Sequence, residues 1–486
     1  MIWLMIASLL SGAFLPLAFS PFNVYSVAFI FPAILLAIWL RVNTKKAFWL
    51  GWLFGIGFFG TGASWIYVSI HEFGNSNVFL AALITFIFVI WMGLYFACFG
   101  YIFKKTFSQF SEAKQCLLVF PALWVLFEYL RSILFTGFPW ILLGYSQLTT
   151  PLQGLAPIIG VYGLSLVTVL IAGALVLLAT KQSRSAKIIS FIIIFVIVGL
   201  GWIFKNHAWT KPFGKPIKAS LIQGNIPFNI KWDESYILEN INVYKNLTLE
   251  NLSSQLIVWP EGAFPVYAQN AEKFIRQLSA VAKQHHSNII FGVPILNQKT
   301  QQYYNGLLLI GENHGEYLKK HLVPFGEYIP LKNIFGKVMH YFNIPMSGFS
   351  AGPKKQPDLK INNIRIAPFI CYEIAFPNEV LNAAEHSELL MTLSDDSWFG
   401  KSIALAQHLQ MAQMRSLETG RAQLLSTNTG ITAFISPFGK IETGAPIDQR
   451  VVLTHDIQPM TGKTPLMRWH YYPVMGLVII MLLLLL

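Results

Sequence analysis

IRIAPFICYEI, residues 364–374, is the stretch on which the reading of this chain turns. Apart from Arg365 its first seven residues are apolar, a run of strand length of the kind a strand buried on both faces carries. The strand gives way at Cys371, followed by Tyr372 and Glu373, and a thiol where a buried strand enters a turn is placed to act as a nucleophile. The alternative is a buried structural cysteine. Of the three cysteines, Cys98 and Cys116 fall in long apolar runs. Cys371 therefore has no disulfide partner in its own part of the chain and stays a free thiol.

Further strand-like runs surround it at 217–223, 255–259, 288–293, 306–310, 388–393, 422–426 and 432–436, interleaved with helical patterns near 233–250, 269–286 and 403–420. That alternation predicts a layered α/β or α+β domain over 206–464.

The rest of the chain is of another kind. Of 486 residues 54% are hydrophobic and only 12% charged, against about 25% charged in an ordinary soluble domain. Apolar runs near 1–19, 24–40, 47–69, 77–103, 115–134, 157–180, 188–204 and 465–486 predict eight transmembrane helices, seven in residues 1–205 and one at 465–486. No basic segment precedes the first run, which is read as a retained span. The net charge of +12 is no nucleic-acid footprint: residues up to Lys205 carry 11 Lys/Arg against 3 Asp/Glu. Arg41, Lys45, Lys46, Lys104, Lys105, Lys114, Lys181, Arg184 and Lys187 all fall in alternate loops, which places those loops on the cytoplasmic side and the 206–464 domain on the outer side.

A thiol nucleophile needs a base and a group to stabilise an oxyanion. Glu261, in LIVWPEGAF, follows a hydrophobic strand and projects from a sheet edge, unless it is an ordinary loop glutamate. In EYLKKHLVPFGEYIP, Lys319 and Lys320 point to opposite faces of an extended segment, so one of the two can serve the thiol. His321 or His408 offers a Cys-His alternative. In the membrane half, Glu128 and Arg131 lie three apart on one helical face and are placed to pair. The segments at 11–23 and 340–352 are candidates for arms dipping into lipid. No HExxH, CxxC, P-loop or GxSxG occurs, so zinc, ATP and serine-hydrolase chemistry lack a motif, and no metal or other cofactor is expected.

WPEG, KKHLVPFGEY and CYE, in that order, resemble the Glu-Lys-Cys triad of the nitrilase, or carbon-nitrogen hydrolase, superfamily. QGNIPFNIKW (223–232), FGVP (291–294), YYNG (303–306), SWFG (397–400), QMAQMRSLETGR (410–421), TNTGITAFISPFG (427–439), FEYLRS (127–132) and GFPW (137–140) extend a resemblance to the apolipoprotein N-acyltransferase family over the whole chain. The resemblance implies an αββα sandwich outside the membrane, with Cys371 as nucleophile, Glu261 as general base and Lys319, two positions after Tyr317, as the oxyanion-stabilising lysine. It implies that Glu327 orients lysine and substrate and that Trp232, Tyr372 and Glu373 support the site. One departure is LSDDSWFG, where Asp395 stands in place of the family's usual Asn. The function implied is acyl transfer from a phospholipid to a diacylglyceryl-modified apolipoprotein, by a monomer of the bacterial inner membrane with its catalytic domain in the periplasm. Two rivals remain: a membrane-tethered amidase passing its acyl group to water, and a catalytically dead scaffold or transporter binding lipidated proteins without chemistry.

Overall fold

The computed structural model describes residues 1–74, 76–330 and 348–485. Every expected apolar run contains helix. Four helices are long and apolar enough to cross a membrane: Val78–Phe107, Glu112–Thr136, Pro151–Ala179 and Arg184–Phe204. Thr44–Gly62 and Trp65–Phe73 qualify only as a pair, bent by 52° as a broken span or a re-entrant loop is, while Ile2–Ala18, Val27–Leu40 and Tyr472–Leu483 are apolar but shorter. By length and composition alone, four helices among the described residues qualify as crossings, or five if the bent pair is one span, which supports a membrane half without establishing the expected eight.

Residues 11–23 are no free arm. They finish the first helix and continue through a 3-10 turn, Leu15–Ala18, into a packed corner in which Phe19 is fully buried against Phe58 and the Ser20 amide donates to Gln410 Oε1. Residues 340–347 of the second expected arm lie outside the described residues. Residues 348–352 run along the sandwich, where the Gly352 amide donates to the Lys319 carbonyl at 2.7 Å.

After the helices the chain forms β1 (Lys211–Pro212), β2 (Ile217–Gln223), β3 (Leu256–Val258), β4 (Asn288–Asn297), β5 (Gln302–Gly311), β6 (Gly315–Leu318), β7 (Leu359–Ile361), β8 (Ile364–Ile370), β9 (Leu389–Ser394), β10 (Gln423–Thr427), β11 (Ala433–Ile435), β12 (Ile441–Gly444), β13 (Val451–Ile457) and β14 (Met460–Thr461). Two six-stranded sheets result, ordered β13-β2-β3-β4-β5-β6 and β12-β11-β10-β9-β8-β7, and β1 pairs with β14 apart from them. The central strands β2, β3 and β4 are parallel, as are β8, β9 and β10; β2, β9 and β10 are buried along almost their whole length, as strands covered on both faces are, with their few polar residues buried too. Pro368 is tolerated in β8 because its antiparallel partner β7 pairs only with Ile364–Ile366, which leaves that edge open at the proline.

The sheets pack face to face through Leu221, Val258, Ile290, Leu307, Ile370, Met391 and Leu424. Helices Ile237–Leu249 and Glu272–Gln284 cover one outer face through Ile241, Leu278, Ile257 and Ile289. On the other face Pro377–Ala384 and Ala404–Thr419 belong to one apolar cluster with the membrane helices, where Val380, Leu381 and Leu409 join Leu142, Val161 and Leu164. The αββα sandwich therefore stands with one helical layer seated on the membrane half.

Candidate active site

The loops after β3, β6, β8, β9 and β10 meet at one end of the sandwich, where the carboxyl ends of parallel strands open a crevice. Glu261 follows β3 by three residues, and β4 reaches close to it only because residue 292 is glycine: a Cβ there would lie 2.6 Å from the Glu261 Cα. Cys371 directly follows β8 and opens the turn Cys371–Ala375 with φ at 51°, a left-handed conformation that is strained for a side-chain-bearing residue.

The turn is held by Glu373. Its carboxylate accepts from the Ile370 amide at 2.7 Å, the Lys320 amide at 2.7 Å, the His321 amide at 3.2 Å and the Tyr317 hydroxyl at 3.0 Å, tying the turn to the segment that carries Lys319. Tyr372 points the other way and donates to the Gly137 carbonyl of the membrane half at 2.9 Å.

Lys319 is buried and Lys320 is not. The Lys319 ammonium donates to Glu327 Oε1 at 2.9 Å and lies 3.6 Å from Glu261 Oε1, whereas Lys320 lies over the Tyr317 ring, its Nζ 5.4 Å from the ring centroid. Asn305 bridges the two carboxylates, donating to Glu261 Oε1 at 2.7 Å and to Glu327 Oε1 at 2.8 Å. The second oxygen of Glu327 accepts from the Val323 amide at 2.8 Å. Trp232 stays at the rim, 48% exposed beside Gly262.

These neighbours set the ionisation. Burial pushes the Glu261 carboxyl above the usual carboxylate range and Glu327 and Asp395 add to the rise, against the pull of Lys319 and the Asn305 amide. Burial also pushes the Cys371 thiol well above its ordinary value; Glu261 pushes the same way and Lys319 opposes both. Burial works against the Lys319 ammonium, but Glu327 and Glu261 outweigh it and hold the lysine above its usual range. Burial thus keeps the proton on the thiol while Lys319 holds its charge beside Glu261, an arrangement suited to removing the thiol proton as the sulfur attacks.

His321 and His408 are engaged elsewhere. His321 contacts Glu379 at 2.7 Å and the Thr136 carbonyl at 3.0 Å, and His408 lies between Asp396 Oδ1 at 3.1 Å and the Cys371 carbonyl at 3.2 Å. Glu128 and Arg131 do not meet within ion-pair distance. Glu128 accepts from the Trp124 indole and the Leu143 amide, while Arg131 donates to the carbonyls of Phe138 and Trp140 at 2.7 Å, so both residues shape the 134–147 loop against the catalytic turn. In the sequence Asn305 stands out only as part of YYNG, and Lys231 only as part of QGNIPFNIKW; their partners are distant along the chain. The extra carboxylate at Asp395 is neutralised by Lys231 at 2.9 Å.

An αββα sandwich with a thiol, two carboxylates and a buried lysine gathered at its strand ends, seated on membrane helices, defines a membrane-borne protein of the carbon-nitrogen hydrolase class. The family model described as Carbon-nitrogen hydrolase matches residues 218–465, and that described as Apolipoprotein N-acyltransferase N-terminal domain matches residues 11–174. The apolipoprotein N-acyltransferase of Coxiella burnetii is 50% identical over 479 residues, covering 99% of this chain and 99% of the relative. That of Azotobacter vinelandii is 40% identical over 480 residues, covering 98% and 93%. Among solved structures, Saccharomyces cerevisiae Nit3, of branch 10 of the nitrilase superfamily, is 18% identical over 51% of this chain and 92% of its own, with a TM-score of 0.38. The chain belongs to the apolipoprotein N-acyltransferase family.

Proposed function

We propose that this chain moves an acyl chain from a membrane phospholipid, through a thioester on Cys371, to the α-amino group of the N-terminal diacylglyceryl-cysteine of lipoproteins. Glu261 takes the thiol proton as the sulfur attacks the ester carbonyl, and Lys319 stabilises the oxyanion. The ester C–O bond then breaks, Glu261 returns the proton to the departing oxygen, and a lysophospholipid leaves. The lipoprotein amine attacks the thioester, gives its proton to Glu261 and expels the thiolate, which recovers that proton. Glu327 orients Lys319, Glu373 and Tyr372 fix the turn bearing the thiol, and Trp232 borders the entrance. The reaction needs no cofactor.

The observation that carries this reading is the convergence of Cys371, Glu261 and Lys319 beside segments of the membrane half. Trp398, next to the Asp395–Asp396 loop, accepts through its carbonyl from Ser69 Oγ and packs with Phe228 and Phe73, and Trp140 stacks on Tyr372. A site walled in this way suits substrates that never leave the bilayer.

The three short apolar helices and the bent pair, added to the four long helices, account for eight crossings if the bilayer thins or the helices lengthen through their flanking turns. This reading divides the chain into a seven-span domain (1–205), a catalytic domain (206–464) on the periplasmic side of the bacterial inner membrane, and a final span (465–486). In this reading the enzyme works as a monomer, with Cys371, Glu261 and Lys319 all on the same chain.

The test uses purified full-length protein, phospholipid with a labelled acyl chain and a diacylglyceryl-cysteinyl peptide. The expected product is a peptide heavier by one amide-linked acyl chain, absent when the peptide amine is blocked. Release of free fatty acid with an unmodified peptide would instead identify a hydrolase.

A further inference from the structure

We propose that the Lys231–Asp395 ion pair is a positioning device for Glu261, holding its backbone carbonyl and one carboxylate oxygen and balancing the charge beside it. The two side chains are 2% and 6% exposed, with Nζ and Oδ1 2.9 Å apart. Lys231 Nζ also donates to the Glu261 carbonyl at 3.1 Å, and the Asp395 amide donates to Glu261 Oε2 at 3.1 Å. Each member of the pair therefore grips Glu261 by a different atom.

The grip is anchored from three further directions. Asn428 donates to Asp395 Oδ1 at 2.9 Å, Ser397 donates to Asp395 Oδ2 at 2.8 Å, and Asn240 holds the Ile230 carbonyl next to Lys231 at 3.0 Å. Burying both charges costs desolvation that their attraction roughly offsets, so stability alone is a weak reason for the pair. Its placement against the one carboxylate assigned to proton transfer is the stronger reason.

The charged and titratable groups around Glu261 are Lys319, Glu327, Cys371, His408 and the Lys231–Asp395 pair. Asp395 is among the negative charges that raise the Glu261 carboxyl, after burial and Glu327. Neutralising Asp395 while Lys231 stays charged makes the surroundings more positive, so Glu261 stays ionised to lower pH. Removing Lys231 alone leaves Asp395 unbalanced and does the reverse.

The proposal rests on Glu261 acting as the base, and the experiment separates the two ideas. Full-length wild type, Asp395→Asn, Lys231→Met, the double variant and Glu261→Gln are compared for kcat/KM against pH and for alkylation of Cys371 by iodoacetamide against pH. Asp395→Asn should move the acid limb of both profiles down by about half to one pH unit and Lys231→Met should move it up, with the double variant nearer to wild type than either. If Lys231→Met fails to fold, Asp395→Asn, which keeps its size and its backbone amide, decides alone. Unshifted limbs in Asp395→Asn, with Glu261→Gln abolishing the limb, would overturn the positioning role. An acid limb that survives in Glu261→Gln would overturn the base assignment, and the proposal with it.

Discussion

Cys371 and Lys319 are the residues on which the chemistry stands. Cys371→Ala removes the sulfur and little volume, so acyl transfer should vanish in a lipopeptide assay while the melting temperature stays within a few degrees. Lys319→Ala should lose activity by about 100-fold or more, the scale of an oxyanion-stabilising group, whereas Lys320→Ala, outside the carboxylate cluster, should stay within about threefold of wild type by the same reasoning. The reverse ranking would place the wrong lysine in the site. Because Glu261 must be ionised to take a proton and its carboxyl is raised above 4.5, activity should fall on acidification at a pH above 4.5. Lys319 is raised above 10.5, so loss of its charge should not limit activity below that pH. The core of this site is legible in sequence because Cys371 and Glu261 each follow a recognisable strand and Lys319 stands in the KKHLVPFGEY motif. Asn305 and Lys231 are not, because one hydrogen bond to a residue 44 positions away and one ion pair between residues 231 and 395 leave no local pattern.

At the scale of elements, the central parallel strands are readable because a short continuous apolar run bounded by turn residues, too brief for a helix, fits a strand buried on both faces. The edge strands β6, β7, β12 and β13 are not: they are short or half exposed, and their partners rather than their own composition decide their pairing. The Cys371–Ala375 turn depends on Glu373 in the same non-local way. Glu373→Ala would strand the Ile370, Lys320 and His321 amide donors at about 1–3 kcal/mol for each one left buried, so it should lower both activity and the unfolding midpoint. Gly137→Ala should be as damaging from the membrane side, since at φ +89° its Cβ would meet the Ser132 carbonyl oxygen at 2.2 Å and displace the acceptor of Tyr372. His408 gives a pH signature: burial lowers its basicity, but Asp396 more than compensates and raises it above 6.5. Its protonated form therefore stabilises the fold fully below about pH 6.5, and that contribution is lost as pH rises through the raised value. Melting curves of His408→Gln should lack this loss.

Over the whole molecule, the two halves are joined by more than apolar contact. Arg415 and Glu418, on the helix that seats the sandwich, form a fully buried pair at 2.8 Å. Glu418 Oε1 accepts from the Val161 amide at 2.7 Å and the Tyr471 hydroxyl at 2.9 Å, and Arg415 donates to the Tyr145 hydroxyl at 2.9 Å. Glu418→Ala leaves a buried cation without its partner and should cost about 3–5 kcal/mol, read as a lower unfolding midpoint in detergent with the Cys371 site chemically intact. In the sequence Arg415 and Glu418 stand out only as part of QMAQMRSLETGR, because their partners Tyr145, Val161 and Tyr471 are distant along the chain. The orientation of the chain has its own check: an epitope inserted in the exposed 298–301 turn should be reached from the periplasmic side of cells without opening the inner membrane.

The thioester on Cys371 is tested most directly by the intact mass of the purified protein after incubation with phospholipid and no acceptor. The expected result is a gain of one acyl chain, removed by hydroxylamine, absent from Cys371→Ala and discharged onto a diacylglyceryl-cysteinyl peptide. A folded wild-type protein that transfers acyl chains to the peptide yet never carries one, or carries one equally in Cys371→Ala, would contradict the covalent route.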